Sequence, residues 1–81
     1  MADERWWRAH MERPEVIAQF WEEEALIVFE TPTFKGPVVA PTYNTGNEET
    51  TRWVEDFGVT RWVALRRTEE GWTVVRRSGE A

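Results

Sequence analysis

The 81-residue sequence predicts a single α+β domain, with two N-terminal helices packed on a small antiparallel sheet of three to four strands that ends in a C-terminal β-hairpin. Three observations carry this expectation. Two apolar stripes at helical spacing precede residue 24, a continuous β-branched run occupies residues 25–29, and two strand-like runs near the end are joined by Glu69-Glu70-Gly71. A chain of this length has room for one core, so residues 1–81 are expected to form one domain.

The first stripe is Trp6, Trp7, His10 and Met11, spaced i, i+1, i+4, i+5, with Asp3 and Glu4 placed to favour a first helical turn; it predicts a helix over about 3–12. Arg13 precedes Pro14, which pushes Arg13 out of the helical region and suits the first position of a new helix. The chain should bend there. Val16, Ile17, Phe20 and Trp21 repeat the stripe and predict a second helix from Pro14 to about Glu24.

Ala25–Phe29 is apolar throughout, as expected of a central strand covered on both faces. Residues 31–47 hold Pro32, Pro37, Pro41, Gly36 and Gly46, the composition of a loop interrupted by at most one edge strand near Val38 and Val39. Asn47 can cap a helix over 48–57 that buries Trp53, Val54 and Phe57 and stops at Gly58, with a strand from Thr50 to Glu55 as the competing reading. In the hairpin, a three-residue loop with Gly last sets Thr68 opposite Trp72, Arg66 opposite Val74 and Ala64 opposite Arg76. That register gathers Trp62, Ala64, Arg66, Trp72, Val74 and Arg76 on one face, the one the helices are expected to cover. Val63, Leu65, Val75 and Arg67 are left on the other face.

Composition narrows the chemistry. Six Trp, four Phe and one Tyr make 14% of the residues, enough ring area for a core of this size and an excess for a thin one. The net charge of -5 disfavours phosphate backbones and anionic lipid as partners. Residues 1–50 own the acidity, with ten acids against four bases. With no cysteine there is neither a disulfide nor a thiolate site. The opening Met-Ala-Asp-Glu-Arg has no leader pattern, and the longest apolar run is far below the ~20 residues of a membrane span. Nine Arg against one Lys is the usage of a GC-rich bacterial or phage genome.

His10 is the only histidine and Ser78 the only serine, so neither a metal cluster nor a nucleophile–base triad is expected, and the isolated glycines form no phosphate loop. Glu22, Glu23 and Glu24, placed on a helix, would point about 100° apart and form a solvated acidic face. The alternation of Trp62, Arg66, Trp72 and Arg76 is the pattern that stacks rings or holds anionic aromatic ligands. Tyr43, among Thr42, Asn44 and Thr45, has the make-up of a recognition tip.

Together these features predict a small acidic, non-enzymatic protein-interaction module of inhibitor or adaptor type, with nucleic-acid mimicry as one form of it. It would be cytoplasmic and homodimeric, use no cofactor or metal, and bind a protein partner, with no direct contact to nucleic acid or membrane. The residues expected to bind are Tyr43, Trp62, Arg66, Trp72, Arg76, Glu22 and Glu23. The second reading is a small dimeric enzyme or ligand-binding protein with a Trp-lined pocket for an aromatic or anionic molecule, in which His10 and Tyr43 act with a hairpin arginine.

Overall fold

The computed structural model describes residues 4–42, 55–56 and 58–79. It contains α1 (Arg5–Met11), α2 (Pro14–Gln19), β1 (Ala25–Glu30), β2 (Val38–Pro41), β3 (Arg61–Thr68) and β4 (Gly71–Arg77). The strands form one antiparallel sheet in the order β2-β1-β3-β4, so the expected α+β class with a C-terminal hairpin is what the chain adopts.

In α1, Trp7 and Met11 lie one turn apart and are both buried, while Glu4 at the N-cap pairs with Arg8 at 3.0 Å. Arg13 is extended (φ -69, ψ 134), as a residue before proline must be, and Pro14 opens α2. The second helix is shorter than its stripe suggests: it ends at Gln19, and Phe20 already leaves helical geometry. Arg67, reaching over from β3, takes the carbonyls of Phe20, Trp21 and Glu23 in hydrogen bonds of 3.0, 3.1 and 3.0 Å. Those carbonyls lie just past the helix, where that of Phe20 also accepts the Glu23 amide at 3.1 Å, and a cation thus sits at the negative end of the helix. Only Val16 and Phe20 of the second stripe are buried; Ile17 and Trp21 stay exposed.

β1 is the central strand and is buried on both faces, as its continuous apolar run implies. Leu26 and Val28 join Val63 and Leu65 beneath the helices, against Trp7, Met11, Val16 and Phe20. Ile27 and Phe29 face the opposite way and pack with Val38, Ala40, Val59 and Trp62. Thr31 closes the strand; its Oγ1 accepts bonds from the Thr33 and Phe34 amides, both at 3.3 Å. β2 is the expected edge strand, with Val39 opposite Val28 and Pro41 at its end, where a missing N–H is tolerated. Glu55 and Asp56 are helical; the remainder of the helix expected over 48–57 lies outside the described residues.

The hairpin departs from its expected register. Thr68 pairs with Gly71, Arg67 with Trp72 and Leu65 with Val74, while Ala64 still pairs with Arg76. One residue of β4, Val75, is therefore extra and forms a bulge opposite the Ala64/Leu65 step. Gly71, at φ 107, begins the strand instead of ending the loop. On the turn side of the bulge every β4 residue is displaced by one, which moves Trp72 and Val74 to the face of Val63 and Leu65. The helices cover this face, and not the Trp62 face on which the sequence pattern had placed them.

Candidate functional site

The four-residue Trp/Arg alternation does not assemble. Trp72 packs against the helix-side core, whereas Trp62 packs against Ile27 and Phe29 on the other face, where the alternation of β3 also places Arg66. Rings and guanidinium groups do meet, in different pairs. Arg67 lies 4.3 Å over Trp72, Arg61 4.5 Å over Trp6 and Arg8 4.4 Å over Trp7. Two of these arginines are also ion-paired, Arg61 with Glu30 and Arg8 with Glu4.

The described residues line several clefts, of which three bear on function. The first, about 320 Å³, runs between the helices and the hairpin and is lined by Met11, Val16, Ile17, Phe20 and Trp72, with Glu12 and Arg67 at its margins. Its apolar lining continues outward, because Ile17 is 43% exposed. Trp21, 68% exposed, follows Phe20, the C-cap residue of α2. An indole that open on a small domain is costly to leave in water and is typical of a surface that another molecule covers.

The second cleft, about 560 Å³, is lined by Glu22, Glu23, Glu24 and Thr42 with Arg66 and Arg67. Glu22, Glu23 and Glu24 are not helical, although the second stripe predicts a helix to about Glu24. Since α2 stops at Gln19, the three glutamates lie in the turn leading to β1, and that irregular backbone lets consecutive carboxylates line one cleft. Arg67 is a wall of both clefts, so the acidic one adjoins the apolar one.

The third cleft, about 210 Å³, is the tryptophan-lined one, bounded by Trp6, Trp7 and Trp62 with Arg61, Arg77 and Glu4. Its charges are paired within the chain, since Arg77 meets Glu4 at 2.9 Å and Arg61 meets Glu30. Trp7 is 1% exposed, and its Nε1 is buried without a hydrogen-bond partner among the described residues.

His10 is half-buried on α1 and lines none of these three clefts. Burial, and then the neighbouring Arg13 charge, push its imidazole below the ordinary value, while Glu15 pulls weakly the other way. Tyr43 lies outside the described residues. Among the described residues no group of three or more histidines and carboxylates is close enough to hold a metal ion, and no helix is long and apolar enough to cross a membrane.

Ile17, Trp21 and Arg67 were not among the residues the sequence singled out. Ile17 and Trp21 belong to an amphipathic stripe, and nothing in a stripe tells which half of it the sheet will cover. No protein-family model, curated protein or solved structure matches this chain.

Proposed function

We propose that the protein is a small acidic interaction module that acts by covering the surface of a protein partner, as an inhibitor or adaptor does, and that α2 and the turn after it carry the contact. The observation behind this reading is exposed Ile17 on the apolar groove of Met11, Val16, Phe20 and Trp72, with the exposed Trp21 next in the chain to Phe20. A partly exposed apolar groove, an exposed tryptophan one residue along the chain from it and acids in the same turn have the composition of an interface centre and its polar rim. A cytoplasmic setting and self-association belong to the same reading; a second copy of the chain is one partner such a face would accept.

The alternative, a small-molecule site, is favoured by one feature, the Trp6/Trp7/Trp62 cleft. Its 210 Å³ falls below the roughly 300–1,000 Å³ of ordinary ligand pockets, and both of its arginines are already occupied by glutamates. Interaction therefore ranks first.

The test is a capture experiment with three baits: the wild-type chain, Trp21→Asp, and Phe34→Asp as a control at a separate exposed ring. A partner retained by wild type and Phe34→Asp but lost by Trp21→Asp supports the reading. Equal retention by all three, or saturable tryptophan quenching by indole-sized carboxylates with no macromolecule captured, overturns it.

A further inference from the structure

We infer that the apolar groove and the acidic cleft beside it form one bipartite seat for a basic amphipathic segment of a partner protein. Apolar side chains of the segment would lie against Ile17, Phe20 and Trp72, and its lysines or arginines among Glu22, Glu23 and Glu24. This deepens the interaction reading and rests on it.

Three facts lead to this occupant. First, the two clefts share Arg67 as a common wall, so one short segment can enter both. Second, the carboxylates of Glu22, Glu23 and Glu24 make no ion pair among the described residues, although Arg66 and Arg67 line the same cleft. Arg67 is turned instead toward the carbonyls at the end of α2 and the ring of Trp72. Three carboxylates without an ion pair among the described residues leave a site for outside cations, and an acidic segment would meet repulsion there. Third, the groove next to them is apolar and has the partly exposed Ile17 on its rim, so a purely cationic ligand would leave half the seat unfilled. Apolar and basic groups side by side on one peptide satisfy both halves.

The discriminating experiment titrates the full chain with three synthetic peptides of equal length: an amphipathic Leu/Lys peptide, its Leu/Glu counterpart, and a Lys/Ser peptide without apolar residues. Saturable binding of Leu/Lys, at least roughly tenfold tighter than either of the others and weakening as salt is raised, is the expected result. Glu22→Gln/Glu23→Gln/Glu24→Gln should reduce Leu/Lys affinity about tenfold or more and flatten its salt dependence, while circular dichroism stays unchanged. Ile17→Asp should weaken the same peptide without touching the acids.

Equal affinity for the Leu/Lys and Leu/Glu peptides, or indifference to the triple Gln change, overturns the basic-segment inference. The interaction reading survives that result if Trp21→Asp still releases a captured partner. If no peptide binds and Ile17→Asp converts a dimer to a monomer in sedimentation, the face belongs to a second copy and the inference is wrong.

Discussion

Arg67 and Trp72 stand directly opposite each other across the β3–β4 ladder, and the guanidinium carbon of Arg67 lies 4.3 Å over the indole of Trp72. From that position the same side chain reaches three carbonyls at the end of α2, while its backbone N–H donates to Glu24 at 2.8 Å. One residue thus joins the hairpin to the end of the helix and to the turn that carries the glutamates.

A fork of charge-assisted bonds to carbonyls should contribute more than an ordinary surface contact, although partial exposure discounts it. Arg67→Met is expected to lower unfolding free energy by about 2 kcal/mol, and Arg67→Lys, which keeps the charge but not the planar fork, by about 1 kcal/mol. Arg66→Ala, on the opposite face, should change it by no more than ~0.5 kcal/mol. Urea unfolding of the three variants decides the matter; equal midpoints for Arg66→Ala and Arg67→Met would refute the linking role.

Trp7 presents two opposed terms. Its ring is sealed in the core, but its Nε1 donor has no partner among the described residues, a defect that typically costs about 1–3 kcal/mol. Trp7→Phe removes the orphaned donor along with some ring volume, so its net cost should be about 1 kcal/mol or less. Trp7→Ala should cost about 3–5 kcal/mol. Denaturant titration showing a Phe variant as unstable as the Ala variant would mean the indole N–H is satisfied in solution.

Glu30 and Arg61 pair at the end of the β1–β3 ladder, where they are directly opposed, and Arg61 also covers Trp6. Both side chains are partly exposed, at 25% and 46%, so screening keeps the coupling small. A double-mutant cycle of Glu30→Gln and Arg61→Met should return about 0.5–1 kcal/mol at low salt and visibly less at 1 M. A coupling that ignores salt would point to packing as its source.

His10 supplies a pH dependence with a definite sign. Desolvation by burial, then Arg13, hold its folded pKa below the unfolded value of 6.5, so the unfolded chain binds the extra proton more readily. The contribution of His10 to stability is complete above pH 6.5 and is lost as pH falls through the lowered folded value. Wild type should therefore lose more stability than His10→Gln between neutral pH and the mildly acidic range. NMR titration of the imidazole protons, native against urea-unfolded, measures the shift directly; a native value above the unfolded one reverses the sign.

Much of the architecture was legible in local pattern. Pro14 at the start of a helix, the unbroken apolar run of Ala25–Phe29 in the centre of the sheet, and the edge position of Val38 and Val39 each follow from a property that acts within a few residues. Two features of the site were not legible: where the second stripe stops being helical, and how the hairpin strands pair near their turn. α2 ends at Gln19, and the carbonyl of Phe20 just beyond it meets Arg67, 47 residues away, so a stripe that continues to Trp21 overstates the helix.

The hairpin shows the same division more sharply. Composition establishes two strands and a glycine turn, but the displaced pairing near the turn and the bulge at Val75 set which rings face the helices. Because side chains alternate with a period of two, a one-residue slip sends Trp72 to the helix side and leaves Trp62 on the other. The chain by itself determined which segments become helix or strand, since propensity and periodicity are short-range. Tertiary packing alone decided that Ile17 and Trp21 remain outside and that three consecutive glutamates line one cleft, since facing is settled by which apolar surface the sheet offers to be covered.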